Sequence, residues 1–293
     1  MASTSGLLTL PLLAKPTNSL TLGFSLYGMK TLKTAPALKQ LAAIGYDSVE
    51  LCLNKGWDAA PANLDDGRRK ETARLLGELD LRLTALMENL KLNGPQTANH
   101  ERLKQAAHLG RDLSPANPPL IETIMGGGNW DDVKNEFRDK LGGWAEIATK
   151  LQTVVCVKPH RFGAVNRPEQ ATWLAEQINS RWIRLAYDYS HFAHRDISLA
   201  ASIKTMLPWT HFIHVKDTII KEGRARFVLP GESSQINYQQ LLRMVHATGY
   251  DGDINVEVSG QVWSQKGYDP TSAAKKSYAH MAAAFKKSGV PRK

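Results

Sequence analysis

The sequence predicts a single (β/α)8 barrel of the TIM type, and three observations carry that expectation. Eight short apolar runs of β character alternate with eight amphipathic segments of helical period. The chain has 293 residues, 42% of them hydrophobic, which is enough for one such barrel and its core. Side chains of metal-ligating and acid–base type recur at the C-terminal ends of the apolar runs, where this architecture places its chemistry. A doubly wound sheet would leave several of these elements over.

In chain order the β-type runs are 21–27 (TLGFSLY), 48–53 (SVELCL), 82–87 (RLTALM), 119–125 (PLIETIM), 154–158 (VVCVK), 183–188 (IRLAYD), 211–215 (HFIHV) and 254–258 (INVEV). Each is short, rich in branched or aromatic residues and bounded by turn formers. The helical segments are 36–44, 66–79, 100–111, 131–151, 168–179, 197–206, 237–248 and 271–287, with apolar residues on one face. Asn129 is a candidate N-cap for 131–151, Asn166 lies two residues before Pro168 at the next helix start, and Asp196 precedes 197–206. Residues 1–20 stand apart. Leu7 to Ala14 is a short apolar stretch without the basic residues that open an export signal, so 1–20 reads as a flexible arm or a signal remnant. The barrel domain is 21–293. The expected compartment is cytoplasmic, or periplasmic if that segment is a truncated export signal.

The formal charge is +9, but Lys and Arg are spread over helical faces and the C-terminal tail, with no interleaving of basic and aromatic residues of the kind that lines a nucleic-acid groove. No stretch is long and apolar enough to span a bilayer. Neither nucleic acid nor membrane is expected as a partner; a second copy of the chain is. Cys52 and Cys156 sit inside apolar runs without ligand spacing and read as reduced core residues.

The run ends carry Tyr27, Glu50, Glu88, Gly126 to Gly128, Lys158 with His160, Asp188 with His191, His214 with Lys216 and Asp217, and Glu257. Asp188, His214 and Glu257 form an O, N, O set suited to a divalent cation such as Mn²⁺, Co²⁺, Zn²⁺ or Mg²⁺. The glycines of GGGN, 126–129, permit close backbone approach, but they lack the pattern of a phosphate loop and read as a tight loop lining the mouth. In the loop 216–233, Lys216, Arg224 and Arg226 offer cationic donors to a hydroxylated or acidic ligand. Tyr27, Trp57, Phe162 and Trp263 offer aromatic faces for stacking on the apolar face of a ligand or for an oligomer contact. His194 and His211 read as structural.

The segments LAYDYSH, FIHVKD and LPGE…INYQQLLRMVHATGYDGDINVEVSG, with IGYDSVEL near the start, resemble the sugar phosphate isomerase/epimerase group of xylose-isomerase-like barrels. The resemblance runs from about residue 21 onward and is most specific in the C-terminal half. It implies a divalent metal at the barrel mouth held by Asp188, His214 and Glu257, and His191 as a contact to substrate hydroxyls. The reaction implied is proton transfer beside a carbonyl of a small sugar, keto-sugar or inositol-like polyol, with Glu257, Lys158 and His191 in catalytic positions. His160, Glu50, Lys216 and Arg224 are substrate-binding candidates.

One position departs from the pattern: where the family has a metal-binding Glu, this chain has Lys158. A protonated lysine neither ligates a cation nor accepts a proton. Three arrangements therefore compete. Lys158 points aside and a metal remains; its ammonium takes the metal's place and no cofactor binds; or it acts as base or amine nucleophile. A metal-free, noncatalytic carbohydrate-binding barrel is the alternative function, favoured if Lys158 is salt-bridged into the carboxylates. An abasic-site endonuclease-like hydrolase is a third, weakened by the lack of histidine at the early strand ends.

Overall fold

The computed structural model describes residues 18–293, so the arm or signal reading of the N-terminus falls largely outside the described residues. Eight parallel strands close into a barrel: β1 (Thr21–Ser25), β2 (Ser48–Cys52), β3 (Arg82–Met87), β4 (Leu120–Ile124), β5 (Val155–Lys158), β6 (Ile183–Tyr187), β7 (Thr210–Val215) and, last in the chain, β10 (Asp253–Val256), which pairs with both β7 and β1. Between β7 and β10 lies an antiparallel hairpin, β8 (Asp217–Lys221) and β9 (Arg224–Val228). The helices are α1 (Thr34–Ile44), α2 (Asp66–Glu78), α3 (Gln96–Leu113), α4 (Trp130–Leu151), α5 (Pro168–Ile178), α6 (Leu199–Met206), α7 (Tyr238–Ala247), the single turn α8 (Gly260–Trp263) and α9 (Pro270–Ser288).

The helix starts have local causes. Asn129 caps α4 by accepting from Asp131 N at 3.0 Å, as its position predicts. At α5 the cap position is Arg167 rather than Asn166, and the side chain of Gln170 turns back to accept from the backbone N–H of both. Ser198, not Asp196, caps α6 through a bond from Ala201 N. No helix of the described residues is long and apolar enough to cross a membrane.

The main core lies between strands and helices, where the strands' outward residues such as Leu22, Val49, Leu86, Ile121, Val155, Leu185, Ile213 and Ile254 are fully buried. The inward residues stack in layers, because side chains two apart on a strand share a face. Lowest is a polar layer centred on Asp253, which accepts from Thr21 Oγ1 at 2.6 Å, Thr84 Oγ1 at 3.0 Å, Asn255 Nδ2 at 3.0 Å and Ser48 Oγ. Above it Ala85, Cys156, Ala186 and Phe212 form a small apolar plug. Both cysteines are free and buried. Two residues beyond three members of that plug come Lys158, Asp188 and His214, so strand alternation delivers these polar groups together above an apolar floor.

Candidate active site

Six strands contribute to a buried charge cluster at the C-terminal mouth. Lys158, ending β5, has its Nζ 2.9 Å from His214 Nδ1, 3.2 Å from Glu257 Oε2 and 3.1 Å from Glu122 Oε1. Lys216, just past β7, places its Nζ 2.5 Å from Glu257 Oε2 and in contact with Asp188 Oδ2. Glu257 Oε2 therefore accepts from two ammonium groups at once. Among the described residues no hydrogen bond reaches its Oε1, and Glu257 is the most exposed member of the cluster at 8%. Glu50 on β2 closes the other end through His214 Nε2 at 3.0 Å.

These contacts fix proton positions. The Lys158 ammonium is a donor, so the Nδ1 it meets is an acceptor and Nε2–H of His214 points to Glu50. Burial and Lys158 pull the His214 imidazole down while Glu50 and Glu257 push it up, with a net upward direction. Because the atom that would take the extra proton faces an ammonium, we assign the neutral tautomer. Burial alone would lower Lys158, but Glu122 and Glu257 more than reverse it and hold the ammonium protonated. Its amine lone pair is thus unavailable for nucleophilic attack in this arrangement. Burial would raise Glu257 and Asp188; the lysines overcome it and hold both well below the usual carboxylate range. Glu122 goes the other way. Burial raises it despite Lys158, and neither of its oxygens has an aligned hydrogen-bond donor.

The other predicted residues distribute as follows. His191 lies in the cluster: Arg161 N donates to its Nδ1 at 3.3 Å, leaving Nε2–H toward Asp188 Oδ2 at 3.4 Å. Half-buried His160 lies against it, ring centroids 4.3 Å apart. Burial, with Lys216 close by, pushes His191 down to about 4, and burial together with His191 pushes His160 down to about 2, so both rings are neutral at pH 7. Lys216 is no loop residue within reach of solvent but a buried member of the cluster, 2% exposed. Arg224 and Arg226 are exposed on β9, away from it. Asp217 is independent of Lys216; it accepts from Gly231 N, Ser233 and Tyr238 OH and ties the hairpin to the start of α7. Glu88 pairs with Arg102 of α3. Gly126 has φ +98° and accepts from Ala164 N at 3.0 Å, which makes the GGGN stretch a tight loop against the segment after β5.

Two functional features were not anticipated from sequence. One is Glu122, a carboxyl in the middle of β4 that projects into the lumen beside Lys158. The other is the hairpin, which carries Phe227 over the site, 5.0 Å from the His191 ring and 5.0 Å from Lys216 Nζ. Replacing Phe227 by Ala readmits water over His191. Its pKa is expected to rise from about 4 toward 6.5, read by NMR titration of the histidine C2 protons. An unchanged titration would show that Phe227 does not shield the ring. Of the aromatic residues, Tyr27 and Trp57 stack at 5.2 Å with Trp263 edge-on to both, and Lys30 lies over the indoles; Phe162 is 60% exposed.

The geometry of a closed eight-stranded barrel with acid–base groups at its mouth agrees with the sequence comparison. The family model of the xylose isomerase-like TIM barrel matches residues 38–284. The chain belongs to that family. An L-ribulose-5-phosphate 3-epimerase, UlaE, of Escherichia coli O157:H7 is 24% identical over 160 residues, 55% of this chain and 54% of the relative, so the match spans about half of either protein. Among solved structures, an L-ribulose 3-epimerase superposes with TM-score 0.69 at 18% identity, covering 92% of this chain and 96% of that one. An IOLI protein with a bound zinc atom superposes with TM-score 0.74 at 18% identity, covering 92% and 99%.

Asp188, His214 and Glu257 each offer a ligand atom, all within 4.8 Å of one another. Whether a divalent ion fits them is decided by what those atoms already hold. Asp188 Oδ2 and Glu257 Oε2 flank the Lys216 ammonium, and His214 Nδ1 faces that of Lys158. The donor set as arranged does not fit a dication.

Proposed function

We propose that this chain is a sugar isomerase/epimerase that moves a proton at the carbon beside a carbonyl, with Glu257 as the base and the two lysines as oxygen ligands. The observation that carries the reading is Glu257 itself, with one oxygen held by two ammonium groups and the other facing the mouth. A carboxylate so strongly paired is a poor base. When the carbonyl and hydroxyl oxygens of a substrate take over the lysine N–H donors, Glu257 loses those partners and regains basicity at the moment it is needed. It then accepts the carbon-bound proton, and the electron pair moves to the carbonyl oxygen, where the ammonium groups stabilise the enediolate. Neutral His191 and His160 stand beside this path as proton donors or acceptors, and Phe227 keeps water out.

In ²H₂O, ketoses and aldoses, free and phosphorylated, should take up deuterium beside the carbonyl, and Glu257→Gln should lower that rate by about 10²–10⁴-fold. Exchange that survives Glu257→Gln unchanged would remove Glu257 from the role. The ion pairs of Lys158 with Glu122 and Glu257 also favour the second reading, a noncatalytic carbohydrate-binding barrel. A sugar that raises the melting temperature without exchanging deuterium would select it.

A further inference from the structure

We propose that Lys158 and Lys216 together take the place of a divalent ion at this barrel mouth, making the site metal-independent and giving it N–H donors for two oxygens on adjacent carbons of the ligand. The class of ligand rests on the sugar reading above; the replacement of the metal stands on the donor set alone.

Three features support it. A dication between Asp188 and Glu257 would have to expel Lys216, whose Nζ contacts both carboxylates and lies 3.4 Å from His191 Nε2. Even then it would meet Lys158 at the next ligand, His214. Lys158 has no route of retreat: it is 2% exposed, its strand is paired on both sides, and its stem stands over the plug residue Cys156. Second, the charge at position 158 is matched. Glu122 sits one strand over, opposite Cys156 in register, and its carboxyl lies 3.1 Å from Lys158 Nζ. A lysine merely intruding on a metal site would not bring its own buried counter-charge. Third, the total charge is equivalent. Two ammonium groups supply the +2 of a divalent ion, divided between two points and directed through N–H bonds, and they meet on one oxygen of Glu257.

Mn²⁺ binding to the full chain, followed by electron paramagnetic resonance and calorimetry, tests this without needing any variant. Wild type should bind no Mn²⁺ at concentrations up to about 1 mM, and neither Mn²⁺ nor EDTA should move its melting temperature. One tightly bound Mn²⁺ per chain, lost in Asp188→Asn, would overturn the proposal. The variant Lys158→Glu alone should bind Mn²⁺ more weakly than a variant that also lacks Lys216, because Lys216 still lies between Asp188 and Glu257. Tight binding by this single variant would assign the exclusion to Lys158 alone and overturn the role given to Lys216. Lys158→Glu combined with Lys216→Gln should bind Mn²⁺ at least ~100-fold more tightly than wild type, since two cations have gone and one anion has been gained. A double variant with a native circular dichroism spectrum that binds no Mn²⁺ would also count against the lysines as the excluding groups; if it fails to fold, the wild-type titration decides. Deuterium exchange that EDTA abolishes and Mn²⁺ restores would defeat the inference while leaving the isomerase reading intact. Absence of exchange with wild type still metal-free would defeat that reading and leave the inference standing.

Discussion

Lys158→Met is expected to lower folding stability by about 3–5 kcal/mol at neutral pH, although Met nearly matches lysine in length and packs well in apolar surroundings. The loss comes from what the ammonium leaves behind. Glu122 and Glu257 lose a cation within 3.2 Å, and His214 Nδ1 loses its donor, all at positions nearly closed to water. The pH dependence separates this cause from a packing defect. In the wild type the depressed carboxyls of Asp188 and Glu257 contribute stability that is fully present above their ordinary values of 3.8 and 4.5 and is lost as pH falls through their folded values. Raised Lys158 contributes stability that is fully present below about 10.5 and lost as pH rises through its folded value. In the variant, Glu122, which burial already raises in the wild type, loses its cation and rises further, while Glu257 keeps only Lys216 to depress it, so both contribute less at pH 7 and the penalty fades as they are protonated. The difference between the two proteins in urea unfolding should therefore be widest near neutrality and shrink by pH 4.5. A gap of constant size would mean that shape, not charge, is what Lys158 contributes. Adding Glu122→Gln to the variant should recover part of the loss, because it removes one of the stranded charges.

How far the site is legible in the sequence depends on which physical signal each residue leaves. The eight barrel strands are visible because burial on both faces makes them continuous apolar runs. Lys158 is visible for the same reason, as a charge at the end of one. Glu122 leaves an equally clear signal in LIETI, but a search restricted to strand ends passes over a carboxyl in the middle of a strand. Lys216 is readable by alternation: Phe212, His214 and Lys216 share one phase, and that phase faces the lumen. Assigning Lys216 to the following loop hides it. The hairpin is harder. Its turn residues Glu222 and Gly223 both have positive φ, the geometry of a two-residue turn that Asn-Gly or Asp-Gly would announce; Glu-Gly does not. With charged residues alternating along β9, nothing local marks RARFV as a strand or Phe227 as the residue that covers the site.

The floor of the barrel is as specific as its mouth, and Gly23→Ala is expected to cost about 3–5 kcal/mol there. Gly23 has no positive φ, so the requirement for glycine is one of space. A methyl group at this position would lie 2.4 Å from Ser48 Oγ, 2.6 Å from Asn255 Nδ2 and 2.6 Å from Asp253 Oδ2. None of these is the far end of a flexible side chain. All three are short, all are buried, and they bond one another around Asp253. Making room means breaking hydrogen bonds to a buried carboxyl that burial already raises and that keeps its site through four donors. Because the clash is with named atoms, a partner substitution relieves it. Ser48→Gly removes the nearest atom at a cost of its own, and in combination with Gly23→Ala the two losses should fall short of additive by 1 kcal/mol or more, about the size seen for residues in contact. Denaturant unfolding of the four proteins in that cycle measures the coupling. Strict additivity would mean that β1 moves away from β2 instead of pressing on the Asp253 network, and then the position of Glu50, two residue pairs further along the same ladder opposite Ser25, should shift with it.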